Sequence, residues 1–256
     1  MVFLNSSSVE IVCLSNAFNE MLKRLSDTFS AQRQFSANAA HELRTPLAVI
    51  RTKLEVFGKN NNPDVNDYQE IIDMVRMQTD RLSHVIDILL EMTELQSAKK
   101  SDPILLAEIA EEVICDLTTL GDKRGVQLIQ KPGSAQITGN DTLIYRAIYN
   151  LIENAIKYNH QGGTVSIEIK ARDPFATVVV SDTGCGIDQN NWEQIFEPFF
   201  KADQSRSCDM GGSGLGLALV KEIAHLHGGA IRVVQSSEQG TQIELILPIA
   251  ESRIKE

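Results

Sequence analysis

The apolar positions divide the chain near residue 100. From about Val9 to Phe57 there is no glycine and a single proline, Pro46, which predicts one long helix or two helices in series. Phe18, Leu22, Leu25 and Phe29 recur at alternating steps of four and three, the seam of a coiled coil or bundle. Leu43, Leu47, Ile50, Leu54 and Phe57 continue such a seam. The first register passes through Ser36, Ala39 and Leu43 and then takes an extra step of four, a stutter that unwinds a supercoil beside His41 and Pro46. Gly58 to Pro63 is a turn by composition, and a second helix follows with Ile72, Val75, Thr79, Leu82, Ile86 and Leu89 on one seam. This predicts an antiparallel hairpin whose exposed stripe pairs with a second copy to make a four-helix dimer. Packing of that stripe against the rest of the chain is the alternative.

Ser97 to Pro103 reads as a linker. Beyond it the period switches between two and 3.6. Strands are predicted at 126–129, 164–169, 176–180, 230–234 and 242–247, and helices near 107–120, 141–158 and 215–227. Strands outnumber those of a doubly wound sheet and neighbours can pair directly, so an α+β sandwich with helices over one face of a mixed sheet is expected.

Composition narrows the function. The 256 residues are 43% hydrophobic and 23% charged, an ordinary globular balance. A net charge of -10 argues against broad attraction to nucleic acid or anionic lipid. Four scattered cysteines show no C-x-x-C pair, which argues against a disulfide framework or structural zinc. No run of about 18 apolar residues exists to span a bilayer.

Four segments carry candidate chemistry. In Ala40-His41-Glu42-Leu43-Arg44-Thr45-Pro46-Leu47, the two leucines take the seam, so the His41 imidazole faces outward with Thr45 four residues on. An exposed imidazole is a competent nucleophile at cellular pH, although a lone helical histidine is usually an ordinary surface residue. Pro46 should kink the helix there. In 150–159, Asn150, Asn154, Lys157 and Tyr158 form one polar face of an otherwise apolar helix. Amide oxygens suit Mg²⁺ beside a polyphosphate, Lys157 can neutralise it, and Tyr158 offers a ring to a base. The alternative is a solvated stripe. In Ser181-Asp182-Thr183-Gly184-Cys185-Gly186, a carboxylate just past a buried strand can accept from an exocyclic amine such as that of adenine, or the segment is a plain turn. In Met210-Gly211-Gly212-Ser213-Gly214-Leu215-Gly216, glycines ahead of a helix expose N–H groups to phosphate without matching the P-loop pattern. The polar stretch before them, with Lys201 and Arg206, reads as a flap or an exposed loop.

Together and in this order, with Phe196-Glu197-Pro198-Phe199-Phe200, these segments resemble the H, N, G1, F and G2 boxes of HisKA-type bacterial two-component sensor histidine kinases, over roughly 35–248. The start, 10–22, is similar to the second helix of a HAMP linker. The resemblance implies a partial HAMP or signalling helix at 1–25, a dimerisation and phosphotransfer hairpin at 26–100, and a Bergerat-type (GHKL) ATP-binding sandwich at 101–256. It implies ATP and Mg²⁺ as cofactors, with His41 as phosphoacceptor, Glu42 as its base and Thr45 as holder of a hydrolytic water. Asn154 would bind Mg²⁺ with Asn150 in support, and Lys157 and Arg206 would neutralise phosphate. Asp182 would read adenine with Tyr158 packed nearby, Gly184 and Gly186 would shape that loop, and Gly212, Gly214, Leu215 and Gly216 would line the phosphates. The implied partners are a second copy and a response regulator receiver domain, and the implied location is the cytoplasmic side of a membrane-anchored sensor. A chaperone- or topoisomerase-type ATPase and a non-catalytic scaffold are the rival readings. His84, His160, His225 and His227 show no ligand spacing and are read as structural or surface residues.

Overall fold

The computed structural model describes residues 6–60, 62–95, 102–202 and 213–249. They form two compact units, divided between Thr79 and Asp80. No described helix is long and apolar enough to cross a membrane.

The first unit consists of helix α1, Ser6–Phe57, and the start of helix α2, Val65–Glu94. Of the two arrangements open to the sequence, α1 is one helix, assigned without a break through Pro46. Pro46 cannot donate to the Glu42 carbonyl, while the Thr45 hydroxyl donates to the His41 carbonyl at 3.1 Å. The turn between the helices is held by a reciprocal cap. The Asp67 amide donates to Asp64 Oδ1 at 2.9 Å, and the Asp64 amide to Asp67 Oδ2 at 3.0 Å. An edge-on Phe57–Tyr68 ring pair, 5.1 Å between centroids, closes the same end.

The stripe expected to stay exposed on a single hairpin is largely open on α2, with Ile72 58% and Ile86 44% exposed. The side chains buried on that helix are Gln78, Val85 and Ile88, on the neighbouring stripe. The helix carries two apolar stripes, and a single period count finds only the more regular one. On α1, Phe18, Leu22, Leu25 and Phe29 are all at least 45% exposed.

The second unit adds helices α3, Leu106–Arg124, α4, Asp141–Lys157, and α5, Gly216–Leu226. Its strands are β1, Asp102–Leu105, β2, Gln127–Gln130, β3, Gln136–Gly139, β4, Thr164–Arg172, β5, Phe175–Asp182, β6, Ala230–Ser237, and β7, Gly240–Pro248. Five strands make a mixed sheet in the order β2-β4-β5-β7-β6, with only β2 and β4 parallel. Alternate residues of β4 (Val165, Ile167, Ile169) are buried with Ala176, Val178 and Val180 of β5. α4 is apolar on one side through Ile144, Ile148, Leu151, Ile152 and Ile156, all at most 2% exposed. The expected α+β architecture is therefore present. β1 and β3 escape sequence reading, and Asp102 and Pro103 of the predicted linker lie in β1. Each has four residues, and their pairing, Ile104 against Ile137, closes a long loop that no local pattern announces.

This packing predicts that Ile148→Ala lowers the unfolding free energy by about 2–5 kcal/mol, measured by chemical denaturation.

Candidate functional site

The two ends of the site are built on α4 and β5. α4 starts from Asn140, whose side chain accepts from the Leu143 amide at 3.0 Å. Its apolar side faces the core, so the opposite side carries Asn150, Asn154 and Lys157, and Tyr158 caps its end. Asn150 is buried and donates its amide to the Arg146 carbonyl at 2.9 Å. Its oxygen points toward the start of α5, where a Cβ on Gly216 would lie 2.6 Å from it. Only glycine lets the first turn of α5, with its unsatisfied N–H groups, approach the two asparagines this closely.

Asp182, the last residue of β5, is fixed by two backbone donors. The Gly184 amide reaches its Oδ1 at 2.8 Å and the Thr241 amide at 3.2 Å. Burial pushes its carboxyl above the ordinary range, and these two N–H groups offset that only in part. Close backbone approach surrounds it: at Gly240, with φ +130°, a Cβ would come within 1.9 Å of the Asp182 carbonyl oxygen. Gly186, at φ +72°, is equally crowded against the Ser237 carbonyl. The Thr183 hydroxyl receives the Thr164 amide at 2.9 Å and donates to Asn159 Oδ1 at 3.2 Å, tying the β5 loop to the end of α4.

Between these ends lies a cleft of about 880 Å³. Asn150, Asn154, Lys157, Tyr158, Asp182, Gly184, Gly186, Gly214 and Gly216 all line it. Leu215 does not, its side chain being wholly buried. Arg206 and Gly212, with Cys208, lie outside the described residues. The Lys157 ammonium is lowered to about 8, chiefly by burial, with Arg124, Arg81 and Lys201 adding repulsion against an opposing Glu153. It stands 5.5 Å from the Tyr158 ring centroid. Phe196 is buried, Phe199 donates its amide to the Gly214 carbonyl at 2.8 Å, and Glu197 pairs with Lys221 of α5 at 2.7 Å. These contacts seat the glycine segment. His41, Glu42 and Thr45 belong to the first unit, where the imidazole is exposed.

Sequence reasoning missed several lining residues. Thr241, Glu153, Ser237 and His84 all border the cleft. Thr241 follows a turn glycine and has no motif around it, and it reaches Asp182 through its backbone amide. Glu153, inside the asparagine segment, was legible by its helical spacing.

Two family models match the chain. The His Kinase A (phospho-acceptor) domain covers residues 31–98. The Histidine kinase-, DNA gyrase B-, and HSP90-like ATPase covers residues 139–251. The sensor protein IrlS of Burkholderia pseudomallei is 33% identical over 246 residues, 94% of this chain and 52% of that protein. The chain spans about half the length of the curated relatives it matches. Among solved structures, the mycobacterial sensor histidine kinase MprB is 31% identical with a TM-score of 0.51, over 58% of this chain and 97% of that one. Histidine kinase ThkA in complex with response regulator protein TrrA shares the fold at 22% identity, with a TM-score of 0.70 over 93% of this chain and 67% of that one.

The raised carboxyl of Asp182 has a measurable consequence. The folded chain holds a proton there more tightly than the unfolded chain, so the charge opposes folding as pH rises through the raised value. Asp182→Asn keeps an oxygen for both amides and loses the charge. Its stability relative to the unsubstituted chain should therefore increase as pH rises from the ordinary carboxylate range through the raised value, read from urea unfolding without ligand. A pH-independent difference would contradict the assignment.

Proposed function

The chain belongs to the HisKA-type two-component sensor histidine kinases, and from that premise we propose that it uses MgATP to phosphorylate His41. The phosphoryl group then passes to an aspartate of a response regulator, which the same protein also dephosphorylates. The observation that carries this reading is the cleft itself: a desolvated carboxylate at one end, and two asparagines facing the bare N-terminus of α5 at the other.

In this reading the Asp182 carboxylate accepts from the adenine amine while Tyr158 packs nearby. The polyphosphate runs toward Lys157 and the amides around Gly214 and Gly216, where the helix dipole favours negative charge. Gly212 and Arg206 are assigned to the phosphates from sequence alone. Asn154, with Asn150 in support, would hold a Mg²⁺ ion through its amide oxygen, a hard neutral donor. The ion would supply charge neutralisation. A His41 ring nitrogen forms a bond to the γ-phosphorus as the bond to the bridging oxygen of ADP breaks. Glu42 takes the proton from the other ring nitrogen. The protein contributes position and field, as phosphoryl transfer generally demands.

The exposed seams of both hairpin helices support a homodimer, since a second copy would cover Phe18, Leu22 and Ile72. The ThkA structure, with its response regulator, supports a receiver domain as the other partner. The HAMP-like segment at 10–22 supports a position on the cytoplasmic side of a membrane-anchored sensor. A gyrase- or chaperone-type ATPase would explain the cleft but not the phospho-acceptor match at 31–98.

Incubation with γ-labelled ATP should give acid-labile label that disappears in His41→Gln; acid-stable label, or none, rejects the reading. Thr45→Ala should slow hydrolysis of the phosphorylated regulator by at least about tenfold while sparing autophosphorylation. Equal loss of both activities would remove Thr45 from the hydrolytic role.

A further inference from the structure

The second unit begins at Asp80, so the C-terminal part of α2 belongs to it together with the cleft. His84 of that helix lines the cleft alongside Asn154 and Lys157. Arg81, three residues earlier, shares its face, because residues three apart on a helix are neighbours. Two turns beyond His84, Glu91 Oε1 meets Arg146 Nε of α4 at 3.1 Å. Arg146 is also the residue whose carbonyl orients Asn150. One residue therefore links α2 through its side chain to the asparagine pair through its backbone.

Resting on the nucleotide reading above, we propose that the C-terminal part of α2 is a wall of the nucleotide site, with Arg81 and His84 contacting the polyphosphate and the Glu91–Arg146 pair pinning that wall to α4. The electrostatics agree. The Lys157 ammonium is repelled by Arg124, Arg81 and Lys201, against the attraction of Glu153. Cations gathered in this way repel one another, and an anion of several charges between them turns repulsion into attraction. Polyphosphate binding thus strengthens the seat of α2 on the catalytic unit, and by linkage anything that lifts α2 weakens polyphosphate binding by the same factor. The hairpin helix would report nucleotide occupancy directly, with no separate relay. Adenosine, which lacks phosphate, would not engage the wall.

The test is calorimetric titration of the full chain with MgATP, MgADP and adenosine. Arg81→Ala with His84→Ala should weaken both nucleotides by at least about tenfold, the loss from even one charge-assisted hydrogen bond, and leave adenosine unchanged. Glu91→Arg should also weaken them, and Glu91→Arg combined with Arg146→Glu should restore affinity. Unchanged nucleotide affinity in the double alanine variant overturns the proposal, as does an equal loss for adenosine. Failure of the charge swap to restore affinity removes the pin. If the unsubstituted chain bound no nucleotide, the functional reading itself would fall; if it bound normally and the variants did too, only the α2 wall would.

Discussion

Much of the second unit is arranged around one half-buried carboxylate. Asp182 stands at the end of β5, and the amides of Gly184 and Thr241 only partly offset the effect of burial on its charge. A charged carboxylate in that position costs folding energy, and a fold tolerates such a cost where a ligand or a mechanism needs the group. The backbone around it is correspondingly restricted. Gly240 cannot carry a Cβ without meeting the Asp182 carbonyl, and Gly186 cannot without meeting that of Ser237. Strands β5 and β7 thereby deliver one acceptor oxygen to the floor of the cleft. The same pairing register that places Ser181 opposite Gln242 brings the Thr241 amide to Asp182.

α4 carries the complementary constraint. Its apolar residues commit one side to the core, and the remaining side has to display Asn150, Asn154 and Lys157 along the cleft. Burial of Asn150 is tolerated because its amide has the Arg146 carbonyl as partner, leaving its oxygen free to face Gly216. Core packing and ligand geometry are thus two consequences of a single helical phase.

The sequence made much of this legible. α4, the long sheet strands and the order of the motif segments follow from period and glycine placement, because each is a local signal. The rest was not local. β1 and β3 exist only because Ile104 and Ile137 find each other across some thirty residues of chain. Thr241 serves through an amide, which no side-chain motif encodes. On α2 the regular seam marks the open stripe, whereas the buried one, through Gln78, Val85 and Ile88, is less periodic. His84 looked like a surface histidine because nothing in α2 itself indicates that α4 and β5 place a cleft beside it.

The central claim is that the Asp182 carboxylate makes the cleft an adenine nucleotide site. Calorimetric titration of the full chain with MgATP and with the 6-oxo analogue MgITP tests it most directly. ITP presents an acceptor where ATP presents the amine, so it leaves the half-buried carboxylate facing a carbonyl. The account predicts that ITP binds at least about tenfold more weakly than ATP. Equal affinity for the two nucleotides would contradict it.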